Sequence, residues 1–536
     1  MHRKETSIVP RIACALVATM VTLSLSASLP GSRPKLVVGV MVDGLSMDQI
    51  DLLRSTFGPD GFNRLLRDGV TIDNLDYGTS LDPAAATAVI FTGAAPSVNG
   101  VDCATKFDTE KKVPVSVFLS PSNKGFFTTE TLSPEALLVS TLSDELRIDG
   151  GGVGSVHSIS LDPQQALIMS GHAGNSAFWF NDNTGDWATS TYYKEMPAAI
   201  QSRNHFKSIA SRIDTMAWVP ALSLDRYPDL PAHRKVYPFR HTFPKNDTNR
   251  FKAFKLSASA NREVTDVATD YIRSISLGAH EEMDMLNLTY TLSPYPYTKD
   301  GDWRVQRLDS YVRLDSDLAR LFKAIDDGPG MDKTVVFITG TPAPSRTRRD
   351  DDRWNIPHGE FSRRKAISLL NMFLMAKYGS GDWVSGYKDG QFYLNRTLVK
   401  QRGSDLGEMR NEAAGFLAQM AGVTSALTLD DVIAGRGGER GESLRRNTAV
   451  ANAGDVFITI APGWEVTDGD GGAAGSRLVE RSTATTAPAF IMAPTAAPQR
   501  IETIVDARVV APTVAGLLRI RSPNGAQLPP LRLKHG

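Results

Sequence analysis

The stretch Lys35-Leu36-Val37-Val38-Gly39-Val40-Met41-Val42-Asp43 decides the fold. An apolar run broken only by a glycine predicts a strand covered on both faces, and such strands belong to parallel sheets flanked by helices. Outward from it the signals alternate. Gly61-Phe62-Asn63-Arg64-Leu65-Leu66-Arg67-Asp68 predicts an amphipathic helix ended by Gly69. A helix over 84–91 is entered through Asp82-Pro83, and Ser133-Pro134-Glu135 starts another that runs to Leu146. Further along come a long helix over 302–325 and a buried strand over 334–339. A Ser404-capped helix extends to about Met420, and core strands follow over 455–460 and 489–492. A last helix spans 507–518, with Pro512 early enough to be tolerated. The order predicts an α/β fold: a doubly wound, mostly parallel sheet with helices on both faces. Residues 176–262, richer in Pro, His and aromatics, are expected to form a cap inserted over the sheet, with a hairpin over 177–190.

The chain has 536 residues, and its 59 basic and 59 acidic side chains cancel. No stretch supplies the one-sided basic footprint of a nucleic-acid binder, so no nucleic-acid partner is expected. The run Arg346-Thr347-Arg348-Arg349-Asp350-Asp351-Asp352-Arg353 neutralises itself and reads as a solvated loop. At the N-terminus, His2, Arg3, Lys4 and Arg11 precede an apolar segment over 12–25 and the small residues Ser26-Ala27-Ser28. That order predicts a signal peptide over 1–28, export to a periplasmic or extracellular space, and a single α/β domain over 29–536. The apolar segment falls short of the roughly 20 residues that span a bilayer, so no stable membrane span is expected after removal; retention as an anchor is the alternative. Cys14 lies in the leader, which leaves Cys103 without a disulfide partner. With no His nearby in sequence, Cys103 reads as a bystander rather than a nucleophile.

Open α/β sheets bind substrates at the carboxyl ends of their parallel strands, where Asp43 lies. Hydrolysing a phosphate ester with two metals about 4 Å apart needs several Asp and His ligands there. The strand Val335-Val336-Phe337-Ile338-Thr339-Gly340 runs instead into Thr341-Pro342-Ala343. The nine histidines follow no ligand spacing. Asp468-Gly469-Asp470-Gly471-Gly472 hints at calcium but lacks the further oxygen ligands and terminal Glu of a calcium loop. Ser80 and Asp82, just before the helix at 84, are the remaining polar candidates for a substitute site.

Several motifs, in order, resemble the alkaline phosphatase superfamily, in the secreted zinc phosphomonoesterase branch related to type I phosphodiesterases and nucleotide pyrophosphatases. They are Leu36 to Gly44, Phe91-Thr92-Gly93, Gly171-His172-Ala173-Gly174-Asn175-Ser176-Ala177-Phe178-Trp179-Phe180, Thr184-Gly185, Ser190-Thr191-Tyr192-Tyr193 and Val510-Ala511-Pro512-Thr513-Val514-Ala515-Gly516-Leu517-Leu518. Together they cover roughly residues 35–525. The resemblance implies a doubly wound core with a cap, and it places the family's site position by position. Asp43 matches the first metal-binding Asp. The nucleophile segment, Thr-Ala-Pro-x-His-Ala in the family, reads Pro83-Ala84-Ala85-Ala86-Thr87-Ala88, so Pro83 stands at the nucleophile. The phosphate-contacting Asn falls at Ala104, and the Lys-x-Arg pair at Asp162 and Gln164. Later metal ligands fall at Leu292, Pro296, Thr341, Pro342 and Thr486.

These substitutions predict a superfamily member that has lost catalysis and acts by binding a ligand or protein partner, with Asp43 a vestige and no cofactor. The alternatives are a phosphoric ester hydrolase with a rebuilt site, for which zinc is the expected metal, and an envelope scaffold.

Overall fold

The computed structural model describes residues 33–193, 196–298, 302–342, 359–461, 464–467 and 485–536. The leader over 1–28, the charged run over 346–353 and the glycine-rich turn over 468–472 lie outside the described residues.

A ten-stranded sheet organises the chain, in the order Gln499–Asp506, Val70–Asp76, Thr486–Met492, Thr334–Pro342, Leu36–Leu45, Asp284–Thr291, Val156–Ser160, Ser176–Phe180, Trp187–Ser190, Gly125–Phe126. Its central run, from Thr334–Pro342 to Ser176–Phe180, is parallel. The flanks depart from the expected, mostly parallel sheet. Thr486–Met492 pairs antiparallel with both its neighbours, and Trp187–Ser190 returns antiparallel beside Ser176–Phe180 as the expected hairpin. Among the described residues between Thr191 and Ser257 the chain forms the helices Ala198–Lys207, Ile209–Arg212 and Arg250–Lys255, several single turns and one small two-stranded pairing.

The apolar run at 36–42 builds both layers, because successive side chains of a strand point to opposite faces. Val38, Val40 and Val42 pack in one core with Val264, Leu314 and Leu318 of the helices Ala258–Ser274 and Arg304–Asp327. Val37 and Met41 pack in the other with Phe91, Ile168 and Val514 of the helices Pro83–Thr92, Pro163–Ser170 and Val510–Leu518. Gly39 belongs where it is because a Cβ there would sit 2.6 Å from the Phe337 ring and 2.7 Å from the Asn287 side-chain oxygen.

A smaller module follows the main parallel run. Val384–Lys388, Gln391–Leu394, Val456–Ile460 and Val423–Thr428 form a four-stranded antiparallel sheet. It packs on the helices Arg363–Tyr378 and Leu406–Leu417 through Leu370, Trp383, Phe392, Met409 and Val456. The core strand expected over 455–460 lies here and not in the main sheet, since both edges of Val456 are taken by Phe392 and Thr428. Two helix starts also differ. Ser133 caps only the short turn Pro134–Ala136, after which Leu137 is extended and the helix restarts at Leu142–Asp149 behind a Thr141–Asp144 capping box. The Leu406–Leu417 helix is capped by Asp405, whose carboxylate accepts the Glu408 N–H at 2.6 Å, and not by Ser404.

Phe337 joins the two layers' central strand to the Pro83–Thr92 helix, its ring 5.6 Å from that of Phe91. Phe337→Ala should therefore destabilise the protein by about 3–5 kcal/mol in urea unfolding. A cost below about 1 kcal/mol would mean that this core is not packed as described.

Candidate functional site

The parallel register sets Asp43 opposite Thr291 on one side and Thr341 on the other. Asp43 is buried, at 6% exposure. The Gln165 amide N–H₂ approaches its Oδ1 at 3.3 Å and the Thr341 hydroxyl lies 3.4 Å from the same oxygen. Gln165 also donates to the Thr87 hydroxyl at 3.1 Å, and Thr341 accepts the Gly44 N–H at 3.0 Å. Burial pushes the Asp43 carboxyl up to about 8, and the Asp162 and Asp82 carboxylates push the same way; the hydrogen bonds from Gln165 and Thr341 oppose them. The surroundings of Asp43 therefore favour its protonated form.

Next to it, Asp82 caps the Pro83–Thr92 helix. One carboxylate oxygen accepts the Ala85 N–H at 2.8 Å and the other the Ala104 N–H at 2.6 Å. A helix N-terminus with free N–H groups is a place for an anion. Here the anion is internal, bridging the helix that begins at Pro83 to the loop at Ala104. Burial raises the Asp82 carboxyl to about 6, against the two N–H donors.

Asp162 is not the isolated negative charge its sequence position suggests. Lys255, from the short helix Arg250–Lys255, donates to it and lies 3.5 Å from Asp182 as well. Burial disfavours the charged ammonium, yet Asp162 and Asp182 raise the Lys255 pKa overall. Lys255 and Gln165 are the site residues that sequence reasoning missed. Lys255 is 93 positions from Asp162 in the chain, and no local pattern marks it. Gln165 was one residue from the position singled out; Gln164 is only half-buried, while Gln165 points at Asp43.

The other positions are placed as follows. Leu292 is a core side chain whose N–H donates to the Asp43 carbonyl at 2.6 Å, and Pro296 is exposed. Pro342 ends its strand opposite Leu45, and Thr486 pairs with Asp76 at the start of another. The fit of a metal can be tested on this donor set. Leucine, proline and a threonine hydroxyl already engaged with Gly44 and Asp43 offer no ligand group, which leaves Asp43 as the one carboxyl of that set. Among the described residues, no group of three or more His, Cys, Asp or Glu could hold a metal ion. Several histidines have structural partners: His157 with Ser176 at 2.7 Å, His172 with Asp144 at 3.3 Å, His280 with Asp284 at 2.6 Å.

A cavity of about 460 Å³ opens beside Asp82, lined by Ser80, Asp102, Cys103, Asp389 and Arg440. Burial, then Asp102, pushes the Cys103 thiol well above its ordinary range, and it donates to the Thr105 carbonyl at 2.9 Å. Such a thiol is not a nucleophile.

With the geometry in view, the chain's relatives can be set beside it. Residues 37–486 match the profile of the type I phosphodiesterase/nucleotide pyrophosphatase family, and the chain belongs to that family. It is a member of the alkaline phosphatase superfamily. It is 25% identical to alkaline phosphatase PhoV of Synechococcus elongatus, over 92% of each chain. It is 26% identical to alkaline phosphatase PafA of Elizabethkingia meningoseptica, over 75% of this chain and 76% of that one. The crystal structure of PafA superposes with a TM-score of 0.81 at 24% identity, covering 93% of this chain and 98% of that one, and so shares its α/β fold. At the level of class, these relatives support a phosphoric ester hydrolase. Among the described residues no helix is long and apolar enough to cross a membrane.

The proton on Asp43 has a measurable consequence. Its folded pKa of about 8 lies above the unfolded value, so the folded state keeps a proton that the unfolded state releases. That contribution to stability is complete below pH about 4 and is lost as pH rises towards the folded value. Asp43→Asn, which mimics the neutral acid, should raise the melting temperature at pH 7–8 and leave it nearly unchanged at pH 4. A metal-bound carboxylate would give the reverse, a lower melting temperature at neutral pH.

Proposed function

We propose that this protein is a phosphoric-ester-hydrolase homologue that works by binding, its two-metal hydrolysis lost. One observation carries the reading: each carboxyl at the strand ends is satisfied from within the chain. Asp43 meets Gln165 and Thr341 in a buried site that favours its neutral form, Asp82 caps a helix terminus and takes the Ala104 N–H, and Asp162 is paired with Lys255. A metal at Asp43 would have to find its other ligands among Leu292, Pro296, Thr341, Pro342 and Thr486. A phosphate would have to displace Asp82 from the helix terminus. The cavity beside Asp82 remains for a ligand. Its wall carries Asp82, Asp102 and Asp389 against Arg440, which favours a neutral or cationic small molecule, or a partner's side chain, over a phosphate dianion.

The second reading, a working phosphoric ester hydrolase with a rebuilt zinc site, is favoured by the names of the relatives, which are those of alkaline phosphatases. They lend no support to the absence of a metal; that expectation rests on this chain's own residues. The further expectation, of an exported chain, rests on the leader alone.

The two readings separate in one experiment. Protein purified without chelator is assayed for zinc by elemental analysis and for hydrolysis of an activated aryl phosphate with zinc supplied. The binding reading expects well under one zinc per chain and no turnover above buffer, and Pro83→Thr should remain inactive, since a hydroxyl nucleophile still lacks a base or metal. Two tightly held zinc ions, with turnover that Asp43→Ala abolishes, would establish the hydrolase instead.

A further inference from the structure

Away from the strand ends, two cavities share a wall. An apolar pocket of about 160 Å³ is lined by Ala199, Ile200, Val267 and Tyr271. A polar groove of about 550 Å³ is lined by Arg212, Asp266, Arg273, Arg320 and Lys323. Arg203, Phe206, Lys207 and Asp270 line both, so the two form one amphipathic cleft. Its walls come from the helices Ala198–Lys207, Ile209–Arg212, Ala258–Ser274 and Arg304–Asp327.

The charges of the groove are mostly spoken for. Buried Glu263 holds Arg203 at 2.8 Å and also Arg212. Arg320 divides between Asp266 and Asp317, and Lys323 meets Asp327 at 3.1 Å. Asp270 returns to Arg203 at 3.1 Å. Lys207 and Arg273 are both exposed and face the groove with no carboxylate partner among the described residues. The positive surplus of the groove resides on them. Phe206 is 77% exposed between the two compartments, an unusual position for a large apolar ring.

Each half of this cleft has its own complement. Two unpaired cations held beside an ordered Arg203–Glu263–Arg212 set attract an anionic group. A ring in solvent beside an apolar pocket lined by Ile200, Val267 and Tyr271 attracts a short apolar segment. Basic residues next to an exposed aromatic are the features with which peripheral proteins take hold of anionic lipid. We propose that this cleft seats an anionic phospholipid presented by a membrane surface, the headgroup phosphate on Lys207 and Arg273, Phe206 and the apolar pocket taking the first part of an acyl chain. An acidic peptide would match the cations and leave Phe206 and the pocket unused. The proposal is independent of whether the chain hydrolyses phosphate esters.

Co-flotation of the full chain with vesicles tests it. Vesicles of one part phosphatidylglycerol to two parts phosphatidylcholine should carry the protein, and pure phosphatidylcholine vesicles should not. Lys207→Gln with Arg273→Gln should weaken binding roughly thirtyfold, from the attraction of a single Lys or Arg to an anionic leaflet. Phe206→Ser should weaken it several-fold by itself. All three side chains are exposed, so unchanged melting temperatures confirm that the variants fold. Equal binding to both vesicle types, or none to either, overturns the proposal. So does binding that ignores the cation changes, or that ignores Phe206→Ser and is thus plain charge attraction. Complete displacement by soluble glycerol phosphate would identify a free phosphomonoester as the ligand and overturn it as well.

Discussion

The pairing of Leu36–Leu45 between Asp284–Thr291 and Thr334–Pro342 holds Asp43 level with Thr291 and Thr341, and the arrangement of the site depends on that register. A slip of one residue would turn Asp43 to the other face of the sheet. Gly39 opposes the slip, because any other residue brought to its place would drive a Cβ into the Phe337 ring and the Asn287 side chain. Backbone and side chain then close around Asp43: the Leu292 N–H takes its carbonyl, and Thr341 and Gln165 crowd its carboxyl. A carboxyl enclosed by a threonine, a glutamine and two nearby carboxylates pays heavily for ionisation. It keeps its proton.

Three carboxyls thus sit within one strand-end cleft, and three different devices make that tolerable. Asp43 stays neutral, Asp82 spreads its charge over the amides of Ala85 and Ala104, and Asp162 lies against the Lys255 ammonium. Each device uses up a component that two-metal hydrolysis of a phosphate ester would need free: an ionised ligand, an open helix terminus, a cationic clamp. The family fold survives because the cores on either side of the sheet do not depend on the site. Leu292, for example, stands where the resemblance places a metal ligand and contributes instead to the core.

The fold was largely legible because its strongest signal is local. The apolar run at 36–42, interrupted only by Gly39, and the Asp82-Pro83 helix entry announce themselves within a few residues, and the structure places both as read. The antiparallel placement of Thr486–Met492 was not legible, since nothing within the 489–492 run states the direction of its neighbours. The small module was missed for a related reason: an apolar strand such as Val456–Ile460 looks the same whether it joins a large sheet or a small one. At the site, the positions lacking ligand chemistry could be read directly from residue type. The replacements could not. Lys255 reaches Asp162 only once segments 93 positions apart are brought together by the fold, and Gln165 reaches Asp43 only because the Pro163–Ser170 helix presents that side chain rather than Gln164.

The protonation state of Asp43 inside its buried network can be read directly by infrared difference spectroscopy. The carbonyl stretch of a neutral carboxyl is expected at pH 7 in the wild type, absent from Asp43→Asn and unchanged when zinc is added. A spectrum with only ionised carboxylate at that pH, or a neutral-acid band that zinc abolishes, would show instead that Asp43 is available as a ligand.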